Sequence, residues 1–404
     1  MSNCRICKGK LKKIINFGKI ALVGNFFRTK KSLKKFNISL NFCLKCKHLQ
    51  ISEILNQNAL FKNYVWETGV SKSNIDLIRN LIRKIKKYGI KKDSQILEIA
   101  SNDGTLLHLI KKKYKCFVLG VDPAKNLKSV AEKKKVESLP YFFDFSLSKK
   151  IKKQYNSFDI IIARNVIAHV PKPNEIFKGV NNLLNDEGMF ILEVPHLANI
   201  IKDNQYDNIF HEHIGFHSLK SIIDLGDKNG LRIFDVEKIN SQGGSIRCFL
   251  CKNHSIKKSK NLINKLINEE KKLGLFSNNK LISFKKRILL HIKLMNKLIK
   301  KLKFKKKKIS IYGASGKGQA LLQYCKLNNN LIDYAFDKSE KKQGCYTPGT
   351  NILVKSPKDI QKSKTEYLLL LSWNIKEEIM KQEKNFLKTG GKFIVPFPSP
   401  RIIS

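Results

Sequence analysis

The chain has 404 residues, and its 79 Lys and Arg against 32 Asp and Glu give a formal charge of +47; that length holds two or three domains with cores of their own. No run nears the roughly 20 apolar residues of a membrane-spanning helix, the first residues form no apolar signal core, and nine cysteines are too few for a disulfide scaffold. The expectation is a cytoplasmic globular protein whose charge, carried by Lys along the whole chain rather than by one Arg-rich element with interleaved aromatics, marks no specific nucleic-acid partner, although a positive field would draw in a phosphate-bearing ligand.

Residues 1–75 contain two Cys-x-x-Cys pairs, Cys4/Cys7 and Cys43/Cys46, with 35 residues between them. Two such knuckles present four thiolates tetrahedrally to one zinc ion, and the metal then helps to fold the segment. All four positions are protein ligands, so the predicted zinc is structural. The long spacer must hold structure of its own, and Phe36–Leu40 alternates like a strand. A third pair, Cys248/Cys251, sits in a strand-like run, where residues three apart face opposite sides; these read as buried thiols.

Residues 76–254 alternate helical and strand patterns, the signature of an α/β layer fold with a parallel sheet. Ser94–Ile99 predicts a strand, Ala100–Thr105 a tight turn, and Leu106 onward a helix. A second strand, Cys116–Val121, ends in Asp122, where a carboxylate can accept hydrogen bonds from ribose hydroxyls. The turn is poor in glycine, which suits S-adenosylmethionine, a nucleoside without a pyrophosphate. Such a site needs a carboxylate near the amino-acid end of the ligand, and Glu98 or Asp103 supplies one. An ordinary strand–helix turn is the alternative.

Further on, Phe158–Ala163 predicts a fourth strand, followed by Asn165 and His169. The stretch Asn208–His217 holds His211, Glu212, His213 and His217. Metal ligation, satisfied loop histidines and general-base chemistry all remain open on spacing alone, although the helical HExxH pattern is absent. In Gln242–Arg247 the glycines permit close backbone approach, and Arg247 can pair with a phosphate or a buried carboxylate. Residues 255–307 read as Lys-rich amphipathic helices linking to a third unit. There, Lys308–Tyr312 predicts a strand, Gly313–Gly318 a loop with Lys317 beside a helix N-terminus, and Leu331–Phe336 a later strand before Asp337. That pattern equally describes a dinucleotide site, so a nicotinamide-dependent nucleotide-sugar oxidoreductase is a second reading, and a basic nucleic-acid-binding module a third.

Several of these stretches resemble the sugar C-methyltransferase family, and together they span nearly the whole chain. Leu97–Leu107 is similar to its cofactor motif, with Ala100 where the family usually has Gly. Glu212–His213 is similar to the end of its Tyr-x-Glu-His signature, with Phe210 in place of the tyrosine. Gln242–Arg247, Gly313–Gly318, Lys342–Thr350 and Ser372–Asn374 resemble its Gly-Gly-Ser-x-Arg, Gly-Ala-x-x-Lys-Gly, Lys-Gln-Gly-x-x-Thr-Pro-Gly-Thr and Ala-Trp-Asn motifs. The resemblance implies a zinc domain over 1–75, a class I S-adenosylmethionine-dependent (Rossmann-like α/β) methyltransferase domain over 76–254, a helical linker over 255–307, and a Rossmann-like substrate domain over 308–404. It implies methylation beside the ketone, at C3, of a nucleotide-diphosphate 4-keto-sugar. His213 would be the general base, with Glu212, His169 and Tyr64 in the active site. Glu98, Ala100, Asn102, Asp103, Gly104, Asp122 and Asn165 would hold the cofactor, and Phe210, Arg247, Gly313, Lys317 and Thr347 the substrate.

Overall fold

In a computed structural model describing residues 3–64, 66–70 and 72–404, three β-sheets organise the described residues. The first is antiparallel and runs Leu11–Ala21, Lys35–Cys43, Leu49–Ile51, Gly215–Phe216. The expected strand at Phe36–Leu40 lies inside its second member, which ends on a zinc-knuckle cysteine. Its last member comes from far along the chain, so the N-terminal unit is completed by residues 215–216.

The second sheet has the order Leu231–Ile239, Ser245–Lys252, Leu184–Pro195, Phe158–Arg164, Gln95–Ile99, Phe117–Val121, Glu137–Leu139. Only Ser245–Lys252 runs against its neighbours. Side chains alternate between two cores: Leu97, Leu119, Ile161 and Cys248 line one face, and Ile96, Val118, Ile160 and Cys251 the other. The third Cys-x-x-Cys pair is thus split across the sheet, as period-two geometry requires. Strand order reverses between Gln95–Ile99 and Phe158–Arg164, and such a switch point opens a ligand crevice at the carboxyl ends of the strands.

The third sheet runs Leu353–Lys355, Tyr334–Phe336, Ile309–Tyr312, Tyr367–Leu370, Lys392–Val395, Arg401–Ile403, parallel except for its last strand. The strand expected over Leu331–Phe336 is confined to its last three residues.

Helices Leu262–Lys272 and Asn278–Phe304 occupy the segment read as a linker. The second is capped by Ser277 Oγ, which accepts from Lys280 N at 3.2 Å. It is a packed strut: Leu281, Phe284, Ile288, Met295 and Ile299 enter one core with residues of the first and third sheets. Their spacing of three, four and seven places an apolar stripe on one side.

Candidate functional site

Four sulfurs gather at the N-terminal end. The Sγ atoms of Cys4, Cys7, Cys43 and Cys46 lie within 4.8 Å of one another, with Cys4–Cys46 at 3.5 Å and Cys7–Cys43 at 3.4 Å. These separations far exceed a disulfide bond of about 2.05 Å and approach the ~3.8 Å expected around one tetrahedral Zn²⁺ at ~2.3 Å. Each knuckle closes alike. Lys8 N donates to Cys4 O and Lys47 N to Cys43 O, with Lys8 and Lys47 both left-handed at φ 62°. Gly9 N donates to Cys7 Sγ at 3.4 Å, and a Cβ on Gly9 would sit 3.2 Å from that sulfur. The cluster fits zinc. Between the first two cysteines, Arg5 sends its guanidinium to Ile51 O (2.5 Å) and to Ile214 O (2.6 Å), which ties the knuckle to the residue after His213.

At the switch point the turn after Gln95–Ile99 is built from left-handed residues: Ala100 at φ 57°, Asn102 at 53° and Gly104 at 70°. A Cβ on Gly104 would lie 3.1 Å from Ala131 Cβ, so that position admits only glycine without repacking. Ala100 tolerates its conformation at the expense expected of a non-glycine residue there, and its N–H is held by Val121 O at 2.7 Å. Asp122 accepts from Asn102 N and Ala124 N, both at 2.8 Å, and so shapes the turn from the neighbouring strand.

The two carboxylates proposed for the amino-acid end differ. Asp103 is engaged within the protein by Gly69 N at 3.0 Å, Thr105 N at 3.2 Å and Lys134 Nζ at 2.7 Å. Glu98 is buried, and its Oε2 has no partner among the described residues; burial, opposed by Arg164, pushes its carboxyl up to about 8. Asn165 Oδ1 is similarly buried and unpartnered. These orphaned acceptors fit a cationic, hydrogen-bonding ligand, as adenosylmethionine is. A strap missed in sequence lies over the turn: Thr68 N donates to Asn102 Oδ1 (2.8 Å), and Asn102 Nδ2 to Trp66 O (3.0 Å).

The histidine stretch follows a single 3-10 turn at Tyr206–Asn208. His213 Nδ1 pairs with Asn208 O at 2.9 Å. A carbonyl only accepts, so Nδ1 carries the proton and Nε2 keeps its lone pair. Burial first, then the charges of His169 and Lys317, hold this imidazole well below the usual histidine range. Its ring stands 4.8 Å from His169 and 4.2 Å from Phe210. His169 is pushed down to about 4 by burial. Glu212 is pushed up to about 7, also by burial. Tyr64 is anchored through its backbone to Asn126 (2.9 and 2.8 Å); burial, with Glu212 and Asp122 nearby, keeps its phenol protonated. His211 turns away, Nε2 against Phe36 O at 3.2 Å. His217 lies against His48, ring centroids 4.6 Å apart and tilted by 39°.

From the third sheet, the helix Gly316–Tyr324 points its N-terminus at this cluster: a Cβ on Gly316 would meet Val23 at 3.3 Å and the Phe210 ring at 3.7 Å. Lys317 is half-buried there, donates to Gln242 O at 2.8 Å, and is brought down to about 8 by desolvation against the pull of Asp207. Three candidates for substrate contact lie elsewhere. Arg247 is wholly buried between Glu193 (Nε–Oε1 2.6 Å) and Glu237, so of its two expected partners it has the carboxylate. Thr347 bonds Thr350 at 2.7 Å and Ile352 N at 2.9 Å within a buried turn. Gly313, at φ 87°, supports packing, for a Cβ would strike Ser372 Oγ at 2.5 Å.

Comparisons with known proteins cover each unit. Residues 4–61 match a zinc binding domain family, 73–236 a methyltransferase domain family, and 240–398 the C-methyltransferase C-terminal domain family. The chain is 31% identical over 412 residues to the C-methyltransferase NovU of Streptomyces niveus, covering 100% of this chain and 97% of that one. Among solved structures, a Pyrococcus horikoshii protein matches 50% of this chain and 100% of its own at 19% identity and TM-score 0.38. The magnesium protoporphyrin IX methyltransferase of Synechocystis with bound SAH matches 46% and 90% at 12% identity and TM-score 0.37. With its full-length relative, its four-thiolate cluster and its methyl-donor turn, the chain belongs to the C-methyltransferase family, as a zinc-containing, S-adenosylmethionine-dependent enzyme.

Proposed function

We propose that the enzyme methylates the carbon beside the ketone, C3, of a nucleotide-linked 4-keto-sugar, with His213 as general base. The observation that carries this reading is the His213 tautomer: Nδ1–H is fixed on Asn208 O, and an uncharged Nε2 is left to accept a proton. A ketone acidifies the neighbouring C–H. Nε2 takes that proton, and the C–H electron pair passes into an enolate. Adenosylmethionine, when bound, would supply an electrophilic methyl group to the enolate carbon, with its thioether as leaving group.

The remaining residues serve the charge that develops. The Tyr64 phenol, kept protonated, donates to the enolate oxygen, and the Lys317 ammonium adds positive charge to the site. Phe210 brings no hydroxyl and His211 is turned to Phe36, so Tyr64 fills the role of the missing tyrosine. Glu98 and Asn165, with their unpartnered oxygens, would hold the amino-acid end of the cofactor, and Asp122 its ribose. The nucleotide diphosphate is drawn in by the positive field of the chain.

Mass spectrometry of a panel of nucleotide 4-keto-sugars, incubated with enzyme and adenosylmethionine in light and heavy water, tests this. The expected result is a sugar heavier by one methyl group, with solvent deuterium entering unreacted substrate at the same carbon. Methyl transfer without such exchange in any arm, or transfer to oxygen, overturns it.

A further inference from the structure

Three stretches that the substrate reading leaves partly unexplained, Gln242–Arg247, Gly313–Gly318 and Ser372–Asn374, converge on one buried carboxylate. Trp373 Nε1 donates to Asp207 Oδ2 at 2.7 Å. Asp207 is fully buried, and its Oδ1 has no partner among the described residues. Lys317 is held on Gln242 O, and its charge reaches Asp207. The edge of the Trp373 ring lies 3.1 Å from where a Cβ on Gly243 would stand, and Gln205 Nε2 donates to Gly243 O at 2.7 Å. Asn208 Nδ2 in turn rests on Gln205 O at 3.3 Å.

Asp207 sits in the middle of the single turn whose next carbonyl, Asn208 O, receives the His213 proton. One turn has little stability of its own, so its carbonyl points where side-chain contacts hold it. From outside the turn, Tyr206 is held by His291 Nδ1 at 2.9 Å and Cys325 Sγ at 3.4 Å, while Asp207, the residue before the carbonyl, is held by Trp373 of the C-terminal unit.

We propose that Asp207 is a positioning residue: gripped by Trp373, it fixes the Asn208 carbonyl that selects the His213 tautomer, so that the C-terminal unit sets the base for proton removal. The proposal rests on the assignment of His213 as base, and one arm of its test is independent of any substrate.

That arm is ¹⁵N nuclear magnetic resonance of the histidine rings in full-length, substrate-free protein, with His213 assigned by its loss in His213→Gln. The wild type shows a protonated Nδ1 and a bare Nε2. Trp373→Phe and Asp207→Ala show a mixture of tautomers, while adenosylmethionine Kd stays within about twofold and so reports an intact fold. The second arm is deuterium entry into the keto-sugar, which falls roughly tenfold in both variants. Asp207→Asn, whose amide oxygen still accepts from the indole, stays within about threefold of wild type. An unchanged His213 tautomer in cofactor-binding Trp373→Phe and Asp207→Ala overturns the proposal, as does an Asp207→Asn enzyme as impaired as Asp207→Ala. If no keto-sugar exchanges with the wild type, the substrate reading fails while the tautomer result still decides this one.

Discussion

At the scale of single residues, chemistry follows from burial. His213 is kept neutral by lack of solvent and by the Lys317 charge, and its one fixed hydrogen bond decides which nitrogen is free to serve as the proposed base. His213→Gln is expected to lower methyl transfer and deuterium entry by about 10²–10⁴-fold with adenosylmethionine binding preserved, as a titration of the purified variant would show. Buried titrating groups also set the pH response of the fold. His169 and His217 are brought to about 4, so below the ordinary histidine value of about 6.5 the unfolded chain binds more protons, and stability is lost as pH falls. Glu98 and Glu212 are raised to about 8 and about 7. There the folded chain holds the extra protons, so stability is lost as pH rises above their unfolded values of about 4.5. Above about pH 6.5 the raised carboxylates dominate, opposed only near pH 8 by Lys317, which is brought down to about 8. Cofactor-free protein should therefore lose about 2–3 kcal/mol between pH 6.5 and 8, read as a falling urea midpoint, and Glu98→Gln should flatten most of that slope. Ala100, held at φ 57°, predicts the opposite of the usual glycine penalty: Ala100→Gly should raise the thermal midpoint by the equivalent of about 1 kcal/mol.

At the scale of elements, what could be read in advance depended on whether the signal was local. The strands at Gln95–Ile99 and Phe158–Arg164 announce themselves through apolar runs, and the donor turn through its place between strand and helix. The strap does not, because its contacts are backbone groups of Trp66, Thr68 and Gly69 on the side chains of Asn102 and Asp103, and no periodicity records them. Arg247 was visible as a motif, but its partners Glu193 and Glu237 come from other strands. The stripe on Asn278–Phe304 was legible as amphipathic; what it packs against lies far away in sequence, which is why the segment looked like a linker. Asp207 was passed over beside the louder histidines. The strap makes a prediction at its own scale. A Cβ on Gly69 would stand 2.8 Å from Thr105 Oγ1 and 2.9 Å from Asp103 Oδ2, so Gly69→Val should lift it from the turn. The expected outcome, by calorimetric titration, is roughly tenfold weaker adenosylmethionine binding, about 1.4 kcal/mol, with the thermal midpoint little changed.

At the scale of the whole molecule, the zinc cluster and the proposed base are joined by a short path: Cys4 and Cys7 flank Arg5, Arg5 holds Ile214 O, and Ile214 follows His213. Structural zinc contributes on the order of 10 kcal/mol to small sites, far more than this path can lose and keep its geometry. Cys43→Ser is expected to release the ion, measured by elemental analysis, and to abolish methyl transfer.

The strand Gly215–Phe216, which completes the first sheet, bears on how the protein is made. A ribosome delivers the zinc knuckles early, but the edge at Leu49–Ile51 stays unpaired until residue 216 has emerged. The core beneath that sheet then waits further for Asn278–Phe304. Units drawn as separate in sequence cannot finish folding in the order of synthesis. The nascent chain must carry an open β-edge until residue 216 and an uncovered apolar face until residue 304, an interval in which a holding chaperone has something definite to bind.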